Sequence, residues 1–303
     1  MIPKVLIIMS TYNGERYLGE QIESILMQKD IEIELVIRDD GSTDGTVEIL
    51  EKYAKENENI AYEIGENIGA AQSFLLLLYN VDMNDSFNYI AFCDQDDIWE
   101  SNKLSMAINK LNQFSTPALY YSALNTFNDI TGEREKIVAS HQYTLAESMI
   151  RSSFPGCTMV INRMGILLLH NVGKPRTVVM HDSFIYQVFC ASNCKIVYDS
   201  NSYINYRIHG DNYSICERGF WNWYKHIKNI AKKQKGLRSA AARELYRLSP
   251  EFAAEKAIQI FKIFSEYQDN LIKHILVIQY LIKMRFNIKI KMEFIIAILC
   301  NIY

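Results

Sequence analysis

Through the first hundred residues, short apolar runs alternate with longer stretches whose apolar positions recur every three or four residues. KVLIIMS (4–10), EIELVIRDD (32–40), IAYEIGEN (60–67) and YIAFCD (89–94) read as strands, and the first is as rich in branched side chains as a strand covered on both faces should be. Between them, ERYLGEQIESILMQ places Leu18, Ile22, Ile25 and Leu26 at helical spacing. GSTDGTVEILEKYAKE opens with Ser42, Thr43 and Asp44, any of which can cap a helix, and NIGAAQSFLLLLYNV supplies another. This alternation predicts an α/β fold with a mostly parallel central sheet flanked by helices.

Beyond about residue 117 the alternation weakens. ALYYSALNTFN, GCTMVIN and KIVYDS are predicted as strands, with YTLAESMIRSS and DSFIYQVFCASN as helices. From about 215 the composition changes. FWNWYKHIKNIAKKQKGLRSAAARELYRL is aromatic and basic, and two or three helices are predicted to follow it. The chain therefore divides into a unit spanning 1–215, with a break near 117, and a basic, helical C-terminal region, 216–303.

Charge sharpens that division. The net charge of −3 hides 15 Lys and Arg against 27 Asp and Glu in residues 1–206, and 17 against 8 in residues 207–303. A basic tail favours anionic partners. The acidic body argues against the continuous phosphate footprint of a nucleic-acid binder. Of the six cysteines, only Cys190 and Cys194 are close, inside a predicted helix, so neither a zinc site nor a disulfide framework is indicated. The opening apolar run is too short for a signal peptide and has no cleavage site, which points to a cytoplasmic, reducing environment.

Polar clusters fall where strands end: STYN after the first, RDDGSTD after the second, DQDD after the fourth. Open α/β sheets bind ligands beyond the carboxyl ends of their strands. Asp94, Asp96 and Asp97 repel one another there, and two readings are open. Either they form a solvated turn in which Asp97 caps a helix starting near Trp99, or they hold a hard divalent cation through oxygen ligands. The other two clusters favour the second reading. RDDGSTD offers acceptors for a ring bearing N–H donors, and STYN offers Thr11, Tyr12 and Asn13, with an aromatic face for a base. A nucleoside diphosphate bridged to Mg²⁺ or Mn²⁺ would use all three loops.

IIMSTYNGERYLGEQIESILMQ, ELVIRDDGSTDGT and IAFCDQDDIWESNKL, in this order and spacing, resemble the family 2 glycosyltransferases, which have the nucleotide-sugar-binding GT-A fold. The resemblance spans roughly residues 3–215. It implies a nucleotide-binding half to about 117, an acceptor half from 118 to 215, and inverting transfer from a nucleoside diphosphate sugar. It places Thr11, Tyr12 and Asp40 on the nucleoside, with Asn13, Glu15 and Asp39 close by. Asp94, Asp96 and Asp97 would bind metal and donor sugar, with Asp96 the favoured ligand. Inversion needs a base opposite the leaving group. Asp182 in VVMHDSFIYQV matches the family's base position, with His181 where an acid is common. The HD form resembles the rhamnosyltransferase-like branch. By spacing alone, Asp182 could equally be a helix cap.

FPGCTMVIN resembles the segment the family sets beside sugar and acceptor, implying that Gly156 and Cys157 line that pocket with His181 and Trp99, although Trp99 also reads as an anchor for the next helix. YRIHGDNYS resembles an element that would bring Arg207 to the diphosphate and His209 to the metal. The basic, aromatic stretch around Phe220, Trp221, Trp223 and Tyr224 suits an anionic membrane surface, or else packs as an ordinary helix. Lysines interrupt the C-terminal apolar run before about 18 residues, so a spanning helix is not expected. The resulting expectation is a rhamnosyltransferase using dTDP-L-rhamnose and a glycan or lipid-linked glycan acceptor for a bacterial surface polysaccharide, peripheral at the inner membrane face. Its alternatives are a UDP-hexose or UDP-N-acetylhexosamine transferase and a non-catalytic nucleotide-sugar-binding protein.

Overall fold

A computed structural model describes residues 2–139, 141–151, 155–209 and 236–299. The N-terminal alternation becomes β1 (Lys4–Thr11), α1 (Leu18–Leu26), β2 (Glu32–Asp39), α2 (Thr46–Glu56), β3 (Ile60–Ile64), α3 (Ala70–Asn80) and β4 (Tyr89–Cys93). These four strands are parallel in the order β3-β2-β1-β4, so the carboxyl ends of β1, β2 and β4 meet at one edge. Side chains alternate across β1. Leu6 and Ile8 enter one core with α3, while Val5, Ile7 and Met9 enter another with α1 and α2. This two-sided burial is why the strand reads as an unbroken apolar run.

The second half extends the same sheet with β5 (Ile98–Trp99), α4 (Lys103–Leu111), β6 (Ala118–Asn128), β7 (Arg134–Ile137), α5 (Leu145–Ile150), β8 (Val160–Asn162), α6 (Arg163–Val172), α7 (His181–Ala191) and β9 (Lys195–Ile208). From β4 the order continues β8-β6-β9-β5, with β7 paired to β6; β8 is antiparallel to β4 and β6, whereas β9 is parallel to β6. Three expectations change here. Asp97 caps no helix: Ile98 and Trp99 pair with Asn205 and Ile204 of β9, and α4 starts only at Lys103. GCTMVIN is a 3₁₀ turn, Gly156–Thr158, followed by a three-residue strand. Cys194 lies past the end of α7, whose carbonyl at Phe189 accepts from the Cys194 N–H at 3.0 Å.

Among the described residues, the aromatic, basic stretch ends in α8 (Leu237–Leu248), and three helices follow it as predicted: α9 (Glu255–Glu266), α10 (Leu271–Lys283) and α11 (Ile288–Leu299). They share the core of the sheet's α3 and α7 side through Ala242, Leu245, Phe261, Leu281 and Ile298. The Ala254 N–H donates to the Ala191 carbonyl at 2.9 Å, and the Arg285 N–H to Glu147 at 2.7 Å. No helix among the described residues is long and apolar enough to cross a membrane. The aromatic, basic stretch at 220–235 lies outside the described residues.

Candidate active site

The first two polar loops are laced together. Thr11 Oγ1 donates to Asp39 Oδ1 at 3.0 Å, and Asp39 also accepts from the N–H groups of Gly41 and Ser42 at 3.1 and 2.8 Å. The N–H of Asn13 donates to Ser42 Oγ, and that of Thr43 to Asn13 Oδ1, both at 2.8 Å. Asn13 holds φ 47°, a left-handed conformation that asparagine tolerates better than most residues. Glu15 closes the seam by accepting from the Gly45 N–H at 2.7 Å. Asp40 is buried, paired with Arg38, and accepts from the N–H groups of Ile68 and Gly69 at 2.9 and 2.8 Å. Asp39, Asp40, Asn13 and Glu15 thus shape the cradle, while Tyr12, 48 % exposed, offers its ring on the surface.

The third loop is tied to the first by Gln95, which separates Asp94 from Asp96. Its side chain accepts from the Tyr12 N–H at 2.8 Å and donates to the Tyr12 carbonyl at 3.1 Å. Asp96 faces outward to His209, whose Nε2 lies 2.8 Å from Asp96 Oδ2. Asp97 is fully buried. Its Oδ1 accepts from the Arg207 N–H at 3.3 Å and its Oδ2 has no hydrogen-bond partner. Arg207 is held on all sides. Its guanidinium donates to the Asp96 carbonyl at 2.9 Å and to Asp129 at 2.6 Å, pairs with Glu20, and lies between the rings of Tyr17 and Phe127. The expected diphosphate contact of Arg207 would require those bonds to be given up.

The electrostatics match this crowding. Burial, then the charges of Asp96 and Asp182, raise Asp94 to about 7. Burial, then Asp94 and Asp96, push Asp97 well above the usual carboxylate range. Asp94, Asp97 and Cys157 place ligand atoms within 4.8 Å of one another. Burial also pushes the Cys157 thiol up, so it stays protonated and is a poor ligand for a hard cation. Three carboxylates, one of them with an unpartnered oxygen, and one imidazole are a donor set that suits Mg²⁺ or Mn²⁺. Asp96 and His209, 2.8 Å apart, form a second pair of donors, and the charge of Asp96 acts on Asp94.

On the far side, α7 begins at His181 and sets Asp182 in its first turn, 8 % exposed. Burial raises Asp182 to about 6, opposed by hydrogen bonds from Ser183 and the Gly156 backbone. A carboxylate poised there suits a general base better than a cap, since Asp182 Oδ1 accepts from the adjacent Ser183 N–H at 2.5 Å and reaches no further along the helix. His181 is buried without a partner for either ring nitrogen and stacks on Phe74 and Phe92, with centroids 4.1 and 5.4 Å away. Burial lowers it to about 3, so it is neutral. Gly156 makes this packing possible, because a Cβ there would lie 2.7 Å from His181 Nε2. Gly156→Ala should therefore destabilise the protein by about 1–3 kcal/mol, read as a lowered thermal midpoint, since the stacked imidazole has no room to yield.

Of the expected sugar and acceptor wall, Gly156, Cys157 and His181 come together beside Asp182, all of them buried. Trp99 does not join them. It is 3 % exposed, with the Lys103 ammonium 3.4 Å over its ring, so no sugar can stack on it. Sequence reasoning missed Gln95, Lys103 and the Glu20–Asp129 clamp on Arg207. The first sits unmarked inside DQDD, and the clamp joins positions 187 and 78 residues apart.

The family described as glycosyl transferase family 2 matches residues 6–167. The dTDP-rhamnosyl transferase RfbG of Shigella flexneri is 30% identical over 74% of this chain and 80% of its own length. The putative teichuronic acid biosynthesis glycosyltransferase TuaG of Bacillus subtilis is 25% identical over 75% of this chain and 90% of its own. Among solved structures, Staphylococcus aureus TarS 1–349 with UDP-GlcNAc superposes with a TM-score of 0.55 at 18% identity, covering 91% of this chain and 81% of that one. The mannosyltransferase PcManGT of Pyrobaculum calidifontis, with GDP-Man and Mn²⁺, gives 0.55 at 15%, covering 100% and 81%. The fold is that of the GT-A glycosyltransferases. The chain belongs to glycosyl transferase family 2 and is a glycosyltransferase.

Proposed function

We propose that this glycosyltransferase inverts configuration, requires a divalent cation, and moves L-rhamnose from dTDP-β-L-rhamnose to a lipid-linked glycan during bacterial surface polysaccharide synthesis. The observation that carries the mechanism is the placement of Asp182 in the first turn of α7, packed on Gly156, where a Cβ would lie 3.4 Å from its own, while the next residue, Cys157, places its thiol within 4.8 Å of the Asp94 and Asp97 carboxylates. Tyr12 receives the base, and the Thr11, Asn13, Glu15, Asp39 and Asp40 network holds that cradle in shape. Asp96 and His209, with Asp94, would hold the ion, which would supply positive charge to neutralise the departing diphosphate. Arg207 braces Asp96 and Asp97 from behind.

Asp182 accepts the proton of the acceptor hydroxyl as its oxygen forms a bond to the anomeric carbon. The bond from that carbon to the diphosphate oxygen breaks on the opposite face, and the electron pair leaves with the nucleoside diphosphate. The resulting linkage is an α-L-rhamnoside. Similarity to the Shigella protein supports the rhamnosyl donor. A panel of dTDP-L-rhamnose, UDP-glucose, UDP-galactose and the UDP-N-acetylhexosamines, with a lipid-linked acceptor and Mn²⁺, tests it through release of nucleoside diphosphate. The rhamnosyl donor is expected to turn over fastest; a faster UDP sugar overturns the donor assignment.

The acceptor's lipid gives the C-terminal helices a role at the inner membrane face. Leu271, Ile272, Ile275 and Ile282 on α10, and Ile288, Met292 and Ile296 on α11, are exposed. Residues 271–299 carry five Lys and Arg against one Glu. An apolar stripe with basic neighbours suits an anionic bilayer. The protein should float with anionic but not neutral vesicles, and Ile288→Glu with Met292→Glu should leave it at the bottom of the gradient. Equal flotation of the double variant contradicts this docking face.

A further inference from the structure

The backbone ladder that joins β1 to β4 ends at Met9 and Cys93. Beyond it, one strand runs into the loop of Tyr12 and the other into the loop of Asp94, Asp96 and Asp97. The Gln95 side chain spans the gap. The Tyr12 N–H donates to Gln95 Oε1 at 2.8 Å, and Gln95 Nε2 donates to the Tyr12 carbonyl at 3.1 Å. The amide thus satisfies both backbone groups of one residue, as a neighbouring strand would. Gly14 leaves room for it. A Cβ there would meet Gln95 Oε1, Cδ and Nε2 at 2.5, 2.8 and 3.2 Å, its three nearest neighbours. Gly14 is not among the residues with positive φ, so close approach is what its missing side chain serves. The fold does not depend on this clasp, because both Tyr12 groups are exposed and water would replace Gln95 at small cost.

We propose that Gln95 is a positioning residue that sets the span between the Tyr12 ring and the two carboxylates beside it in the chain, Asp94 and Asp96. The inference rests on the reading of these loops as a site for a nucleoside diphosphate and its cation. Arg207 holds the carboxylate loop from behind through the Asp96 carbonyl, at 2.9 Å, and Gln95 fixes its other side to Tyr12. A ligand that meets one end alone gains nothing from a fixed span. A ligand that bridges both ends does, because without the clasp its binding must also order the two loops against each other. Gln95 therefore acts on the nucleoside diphosphate with its cation, and not on the nucleoside or the cation taken singly.

The test compares three ligands on the full chain, its Gln95→Met variant and its Gly14→Ala variant. Mn²⁺ alone and dTDP in saturating Mn²⁺ are titrated by calorimetry, and thymidine alone by ligand-observed NMR, each repeated with UDP and uridine. Methionine keeps the length of the side chain without its hydrogen bonds. The Gly14→Ala methyl displaces the Gln95 amide and leaves its chemistry in the sequence. Both variants should bind Mn²⁺ alone and nucleoside alone within about threefold of wild type, and the nucleoside diphosphate in Mn²⁺ about tenfold more weakly. Equal weakening of all three ligands overturns the proposal in favour of a general loosening of the loops. Unchanged affinity for the nucleoside diphosphate in a folded variant also overturns it. If Gln95→Met does not fold, Gly14→Ala decides by the same outcomes, and failure of both to fold overturns the proposal in favour of a role in the fold. A wild-type chain whose affinity for both nucleoside diphosphates is the same with and without Mn²⁺ instead overturns the cation reading, and this inference with it.

Discussion

Asp182→Asn should lower the rate of transfer by about 10³-fold while leaving the affinity for the nucleotide sugar within about threefold. The amide keeps the shape of the carboxylate but cannot accept the acceptor proton. The proposed nucleotide cradle lies in the loops after β1 and β2, so the hydrogen bonds to Asp39 and Asp40 that shape it are untouched. A pH profile gives the same test a second reading. With Asp182 raised to about 6, the competent carboxylate form grows as pH rises through that value. The ratio kcat/KM should climb with pH below about 6, then level off, and Asp182→Asn should lose that climb. Asp94, raised to about 7, shares the window, so the part of the limb that disappears in the Asn variant is the part owed to Asp182. Near-normal transfer by Asp182→Asn contradicts the base assignment.

Asp96→Asn should act differently, on binding as well as on rate. Asp96 and His209 form the outward pair of the cluster, at 2.8 Å, and both are anchored from behind by the β9 strand that carries Arg207. Loss of the anionic ligand should weaken Mn²⁺ binding by at least about 100-fold, above the range that loss of an outer partner produces. Transfer should fall in parallel at limiting Mn²⁺, and part of it should return at high Mn²⁺. The nucleoside alone, which touches no metal, should bind Asp96→Asn as it binds wild type. An Asn variant with normal Mn²⁺ affinity moves the site to the buried trio of Asp94, Asp97 and Cys157.

The difference between these two variants stems from features that were unequally legible in the amino-acid sequence. The parallel half could be read because each of its strands is a local apolar run with a polar loop behind it, and STYN, RDDGSTD and DQDD do meet at one edge. Asp97 was open to misreading as a helix cap because the conformation of the next two residues is decided at long range: Ile98 and Trp99 pair with a strand about a hundred residues away. The division of labour among Asp94, Asp96 and Asp97 was illegible for the same reason. His209 and the Arg207 backbone, on β9 and just beyond it, select which carboxylate turns outward and which is buried. The loops after β1 and β2 were recognisable as one polar edge. Their residues nevertheless spend most of their hydrogen bonds on one another, which residue type alone does not reveal. Gln95 and Lys103 carry no sequence signal, because one is a spacer between acids and the other resembles a solvated helical lysine until its burial is seen.

Single displacement requires the carboxylate loop and Asp182 to lie on opposite faces of one reacting carbon. The anomeric configuration of the product tests that directly, read from the one-bond carbon–proton coupling at the transferred sugar after reaction with Mn²⁺ and a lipid-linked acceptor. A linkage opposite in configuration to the donor, α-L from dTDP-β-L-rhamnose, is the expected result. A product that retains the donor's configuration contradicts the single displacement and the role given to Asp182.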